Sequence, residues 1–347
     1  MSPAVIVCGS LNMDLVARVD HLPRPGETVV GASLQRLPGG KGLNQAVAAA
    51  RMGAAVAMIG ARGDDADGAA LAALLASEGI DTRDLRVRDP RAMPDAHTGL
   101  AQVTVAADGE NSIVVHGGAN LSLTAEEVRA AFAVPSSATS GQEASSPTEP
   151  PQAGPTQAPR VRVAPVRVAL AQLETPLVAV SAFFEAARDA GVRTILNPAP
   201  AIDDALPLLA DADLVVLNET ELAIFSAAVA REAGADGSRP ARPADAAMML
   251  LQGRCQAVIV TLGAEGVWLV TGEDAVHFPA PAVTVVDTTG AGDCFCGVLA
   301  AGLAQGLDLE AAIARAVAAA SLSVTRSGAA PAMPRTSELG ASQKNHS

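Results

Sequence analysis

Short apolar runs rich in Val, Ile and Leu alternate along this chain with Ala- and Leu-rich runs of helical period. Ala4–Cys8, Val56–Gly60, Val166–Leu173, Thr194–Leu196, Leu214–Leu217 and Ala257–Leu262 predict buried strands. Gly42–Met52, Gly68–Glu78, Leu177–Ala190, Glu219–Ala230, Ala291–Ala304 and Leu309–Thr325 predict helices. Gly53, Gly79 and Gly191 stand just past three of these helices, where a left-handed residue ends the hydrogen-bonded ladder. Strand–helix alternation on this scale predicts an α/β fold, a mainly parallel sheet with helices on both faces.

Two segments break the rhythm. Asp14–Leu37 and His97–His116 alternate apolar and polar positions, as in Val16-Ala17-Arg18-Val19 and Gln102-Val103-Thr104-Val105. They predict half-exposed antiparallel strands in a small flap beside the main sheet. Residues 135–160 are rich in Ser, Pro, Ala, Gln and Thr without periodicity, the composition of a disordered insertion. The α/β pattern continues on both sides of it, so it is not read as a domain boundary. Arg231–Pro243 predicts a surface loop, and the residues after Arg335 a flexible tail.

Composition narrows the function. Across 347 residues, 24 Lys and Arg stand against 37 Asp and Glu, a net charge of −13. That balance disfavours nucleic acid or an anionic membrane as a partner, because both must be neutralised by basic residues. Aromatic residues are scarce, with six Phe, one Trp and no Tyr, so stacking platforms for bases are few. No apolar run is long enough for a spanning helix. The chain opens on a strand-like run with no basic segment before it, the pattern expected of a cytoplasmic protein. Cys8, Cys255, Cys294 and Cys296 show no metal spacing and read as reduced, buried thiols.

Three glycine clusters carry candidate chemistry. Gly39-Gly40-Lys41-Gly42-Leu43-Asn44-Gln45 fails the P-loop spacing, since positions 35 and 42 hold Gln and Gly. It remains a glycine turn opening a helix, with Lys41 and Asn44 on one face. Those residues either bind a polyhydroxylated ligand or form a tight loop with a solvated lysine. Asp287-Thr288-Thr289-Gly290-Ala291-Gly292-Asp293 leads into an apolar helix, and the amides of such a helix start form an anion site. An aspartate inside an anion site suits a general base beside a phosphate, or else only stabilises the first helical turn. Thr261-Leu262-Gly263-Ala264-Glu265-Gly266 joins two strands by a turn against which a ligand edge fits. Glu174, Asn197, Asn218, Glu221 and Thr261 follow strand ends, where open α/β sheets bind ligands, although helix caps also stand there.

In this order the elements resemble the ribokinase, or PfkB, family of carbohydrate kinases. Gly9-Ser10-Leu11-Asn12-Met13-Asp14 is similar to the family's first sugar loop, and Pro25-Gly26-Glu27-Thr28 to its lid motif. Gly39–Ala50 is similar to the N-terminal signature, Asn218-Glu219-Thr220-Glu221 to the NxxE motif and Asp287–Asp293 to the C-terminal signature. GGKGLNQAVAAAR, Asn197-Pro198-Ala199-Pro200, Thr261-Leu262-Gly263 and Gly328-Ala329-Ala330-Pro331 have the wording of the members that act on ribose. The resemblance implies a three-layer fold over residues 1–335, with β-lid segments at about 11–37 and 97–116, the 135–160 insertion and a 336–347 tail.

It also implies roles. Asn12, Asp14, Gly40, Lys41, Asn44 and Glu174 would hold sugar hydroxyls, and Asp293 would deprotonate the attacking one. The Gly290, Ala291 and Gly292 amides would stabilise the transferring phosphoryl group. Asn218 and Thr261, Leu262, Gly263, Ala264, Glu265 and Gly266 would contact ATP. Glu221 would organise Mg²⁺ through water. Asp287, Thr289, Ser323, Arg326, Gly328 and Ala332 would surround a potassium ion. The lid would close over the sugar and pair two copies as a homodimer. The expected reaction is phosphorylation of the 5-hydroxyl of D-ribose by ATP. Another sugar or a nucleoside stands as the alternative, and a non-catalytic sugar-binding regulator as a second; scarce aromatics disfavour the nucleoside. Val298 departs from the usual small residue one turn past Asp293, and Val317 from a polar adenine contact.

Overall fold

The computed structural model describes residues 4–93, 95–132, 166–233 and 242–342. The expected insertion at 135–160 lies outside the described residues, as does the centre of the expected 231–243 loop. The strands are β1 (Ala4–Cys8), β2 (Asn12–Arg18), β3 (Ser33–Gly39), β4 (Ala55–Gly63), β5 (Asp81–Arg88), β6 (Gly99–Val105), β7 (Asn111–His116), β8 (Val166–Gln172), β9 (Arg193–Asn197), β10 (Leu214–Asn218), β11 (Ala257–Thr261), β12 (Val267–Thr271) and β13 (Ala275–Phe278). The helices are α1 (Lys41–Arg51), α2 (Ala66–Ser77), α3 (Ala125–Phe132), α4 (Leu177–Asp189), α5 (Leu206–Asp211), α6 (Glu219–Glu232), α7 (Pro243–Met248), α8 (Ala291–Ala304), α9 (Leu309–Ser323) and α10 (Thr336–Ser342).

Nine strands form the main sheet in the order β13-β12-β11-β10-β9-β8-β1-β4-β5. The seven from β11 to β5 are parallel, and β12 alone runs against its neighbours. The chain leaves β1 toward β4 and β5, then returns to the other side of β1 with β8 and continues outward. Strand order therefore reverses between β1 and β8, which opens a crevice at their carboxyl ends. Apolar side chains cover both faces. One core gathers α1, α8 and α9, with Leu43, Val47, Phe295, Leu299 and Ile313. The other gathers α4 to α7, with Phe183, Phe184, Leu208, Phe225 and Leu250.

The second sheet has the order β3-β2-β6-β7 and projects beside the crevice. Its outer pairs are antiparallel as expected, but the central pair, β2 with β6, is parallel. These two strands come from distant points in the chain, and period-two alternation does not encode relative direction.

Other differences have equally local reasons. β5 reads Asp-Thr-Arg-Asp-Leu-Arg-Val-Arg, a charged run that carries no strand signal, because it is a sheet edge of the kind proteins protect with charge. The segment expected to be a flexible tail begins with α10, where Glu338 pairs with Arg326 at 2.5 Å and accepts from the Arg335 amide at 2.7 Å.

Helix starts locate the chemistry. α6 opens with a capping box: the Glu221 amide donates to Asn218 Oδ1 at 2.8 Å, and the Asn218 amide donates to Glu221 at 2.9 Å. α1 has no side-chain cap and no acid in its first turn. Glu174, after β8, supplies both: it accepts from the Lys41 amide at 3.0 Å. α8 starts at Gly290, whose φ of 75° suits glycine.

Candidate active site

α1 and α8 pack closely where they cross. A Cβ on Gly297 would lie 2.3 Å from the Gln45 carbonyl, so only glycine permits the approach. That approach brings the start of α1 against Asp293. Asn44 Nδ2 donates to Asp293 Oδ2 at 2.9 Å, and Gln45 Nε2 donates to Oδ1 at 3.0 Å. The carboxylate is thus buried and aimed by two amides. Gln45 also donates to Asn197 Oδ1 at 3.1 Å and accepts from Gln172 Nε2 at 2.6 Å. Asn197 in turn donates to the Val216 carbonyl at 2.9 Å. These contacts tie the ends of β8, β9 and β10 to the aspartate.

Two cavities meet at Asp293. The first, about 580 Å³, lies between the small sheet and the crevice. Asn12, Asp14, Gly40, Lys41, Asn44 and Glu174 line it together. Asn44 Oδ1 is buried and has no hydrogen-bond partner among the described residues. The second, about 180 Å³, is lined by Asn218, Glu221, Thr261 and the Gly290–Gly292 loop. Lys41, Thr288, Gly290 and Asp293 line both. A larger surface cleft on α6, about 660 Å³, shares none of these groups.

Three carboxylates and a lysine crowd the crevice, and burial and their mutual charges shift them. Burial pushes the Asp14 carboxyl up to about 7, with the nearby charges of Glu174 and Asp293 adding to it. Burial works against the Lys41 ammonium, but Asp293, Glu174 and Glu221 outweigh it and hold its pKa above the ordinary lysine value. Glu221 is raised, first by burial. Burial also opposes ionisation of Asp287, yet donors from Thr289 and Gly328 hold its carboxyl below the usual range. The Thr289 amide donates to it at 2.9 Å and the Gly328 amide at 2.8 Å.

Not every predicted residue converges. Leu262, Gly263, Ala264, Glu265 and Gly266 form the turn between β11 and β12, beyond Thr261 and outside both cavities. Asp287, Thr289 and Gly328 line the first cavity, whereas Ser323, Arg326 and Ala332 do not. Ser323 donates its hydroxyl to the Ala320 carbonyl at 2.8 Å, and the Arg326 guanidinium pairs with Glu338. Val317 and Val298 are buried core residues. All four cysteines are free and buried. Gln45, Gln172 and Asn120 carry no signal of their own in the sequence; Gln45 stands inside the N-terminal glycine motif, and only its hydrogen bond to Asp293 singles it out. No described helix is long and apolar enough to cross a membrane.

Residues 2–336 match the model of the pfkB family carbohydrate kinases, and the chain belongs to that family. It is similar to the ribokinase of Haemophilus influenzae, with 35% identity over 97% of both chains. It is similar to the ribokinase of Bacillus subtilis, with 36% identity over 96% of this chain and 97% of the relative. Among solved structures, Arabidopsis thaliana ribokinase complexed with ribose and ATP superposes with a TM-score of 0.75, at 29% identity and 98% coverage of each chain.

Proposed function

We propose that this protein transfers the γ-phosphoryl group of ATP to the 5-hydroxyl of D-ribose, giving ribose 5-phosphate and ADP. The observation that carries this reading is Asp293 at the junction of a polar, sugar-sized recess and a glycine-lined anion loop. Likeness to ribokinases along nearly the whole chain supports ribose as the sugar. Neither cavity is lined by an aromatic residue, which argues against a nucleoside.

Asp293 accepts the hydroxyl proton as the sugar oxygen attacks phosphorus. The new O–P bond forms as the bond to the ADP oxygen breaks. Asn44 and Gln45 keep the carboxylate on its target. The Gly290–Gly292 amides face the phosphoryl group and stabilise its charge without a covalent intermediate. Asn218 and the Thr261–Gly266 segment contact the nucleotide.

Two cations complete the reading. Glu221 is a half-buried carboxylate whose pKa burial raises, and a cation beside it would favour the charged form, which fits Mg²⁺ held through water beside the phosphates. Asp287, Thr289 and Gly328 line one wall of the first cavity and offer carboxylate, hydroxyl and carbonyl oxygens, hard ligands that fit potassium rather than a soft transition metal. Potassium would be held by Asp287, Thr289, Ser323, Arg326, Gly328 and Ala332, several through carbonyls, and would neutralise charge beside the anion loop. The small sheet acts as a lid. Exposed Val114 on β7 and Leu34 on β3, which do not line the cavity, support pairing with a second copy in a cytoplasmic homodimer.

The test is ADP release over a panel of ribose, deoxyribose, fructose and nucleosides. Ribose is expected to give the highest kcat/KM, and a higher value for any other acceptor overturns the assignment. Asp293→Asn is expected to lower kcat by about 10²–10⁴-fold with ribose binding retained.

A further inference from the structure

Asn120 lies outside both cavities and touches neither sugar-facing space nor anion loop. It is 1% exposed, in the 3₁₀ segment Gly118–Ser122 that follows β7. Its amide makes three bonds. Oδ1 accepts from the Leu11 amide at 2.9 Å, and Nδ2 donates to the Leu11 carbonyl at 3.1 Å and to Asn12 Oδ1 at 2.8 Å.

The orientation of this amide follows from its partners. A backbone N–H only donates and a carbonyl only accepts, so Leu11 fixes which end of Asn120 is oxygen and which is nitrogen. Asn120 Nδ2 then fixes the neighbouring amide: Asn12 turns its oxygen toward Asn120 and keeps its NH₂ for the cavity. The position also matters mechanically. Leu11 leads from β1 into β2, Gly99 opens β6, and Asn120 follows β7, so three passages between lid and main sheet converge here. Asn12 pairs in register with Gly99. A Cβ on Gly99 would stand 2.1 Å from Asn12 Oδ1 and 2.3 Å from Asn120 Nδ2, so the two amides meet only because residue 99 is glycine.

We infer that Asn120 is a positioning residue for sugar recognition: it locks the Asn12 amide with its donor toward the sugar. The inference rests on the sugar reading of the 580 Å³ cavity.

A double-mutant cycle tests it. Asn12→Ala and Asn120→Ala are each expected to raise the ribose KM about tenfold, the cost of one hydrogen bond, with the ATP KM unchanged. The double variant is expected to be no worse than Asn12→Ala alone, because both substitutions remove the same interaction. Destabilisation from the unpaired Leu11 groups is the same with or without the Asn12 side chain, so it drops out of the cycle. Multiplicative effects in the double variant, or an unchanged ribose KM in Asn120→Ala, overturn the proposal. An unchanged ribose KM in Asn12→Ala overturns the sugar assignment first. If Asn120→Ala does not fold, Asn12→Asp carries the test. It keeps an acceptor for Asn120 Nδ2 but puts an oxygen where the Asn12 NH₂ faces the cavity. Its ribose KM is expected to rise more than tenfold, about the cost of a hydrogen bond replaced by repulsion; an unchanged value overturns the proposal.

Discussion

Replacing Asp14 by Asn is expected to stabilise the sugar-free protein while damaging its function. The Asp14 carboxyl stands among Glu174 and Asp293 in the crevice, and burial with those charges pushes it from 3.8 to about 7. The folded state therefore holds this proton more tightly than the unfolded chain. Stability from the group is complete below 3.8 and declines as pH rises through about 7, then levels off. A difference of about 3 units at about 1.4 kcal/mol each gives about 4 kcal/mol, reduced to about 2–4 kcal/mol because the side chain is only partly enclosed. Asp14→Asn removes the ionisation. Urea unfolding without sugar should find the variant more stable than its parent by that amount near pH 8, and nearly equal near pH 4. Its ribose KM should rise by at least about tenfold, since a hydrogen bond to a charged acceptor is lost. In the parent, sugar hydroxyls donating to Asp14 favour the carboxylate, so the ribose KM should fall as pH rises through about 7. A variant no more stable than its parent near pH 8 refutes the reasoning, because the crevice would then impose no cost on the charge.

Three further outcomes are expected. Gly290→Ala forces a left-handed φ of 75° on alanine and sets its Cβ 2.8 Å from that of Ala329; kcat should fall about 10²-fold with ribose KM nearly kept, and an unchanged kcat removes the anion loop from the mechanism. Initial rates in sodium-only buffer should be well below those in potassium, and potassium should raise the melting temperature of the parent but not of Asp287→Asn; equal rates and equal melting in both buffers exclude the cation site. Deleting residues 135–160 should leave activity and melting temperature near the parent values, and a collapse of either shows that the segment is structural.

The main sheet was legible because buried parallel strands and amphipathic helices announce themselves by period. β5 was not, because an edge strand needs no apolar run and this one is mostly charged. The parallel pairing of β2 with β6 was also invisible, since alternation marks a face and not a direction. Within the site, the glycine signatures and the residues of the sugar recess could be named from spacing and resemblance. The amide network behind them could not. Gln45 sits beside Asn44 in one motif, yet its partners Asp293, Asn197 and Gln172 lie 248, 152 and 127 residues away. Glu174 caps a helix that starts 133 residues earlier.

The sequence by itself determined the elements, the fold class and the types of group the chemistry needs, because those depend on local periodicity and on short motifs. The tertiary structure decided which of those groups meet. Strand order reverses at β1 and β8, the glycine at 297 lets α1 approach α8, and the amides of Asn44, Gln45 and Asn120 acquire fixed orientations. A buried amide has a direction only when its distant partners supply it, and no local pattern along the chain can carry that information.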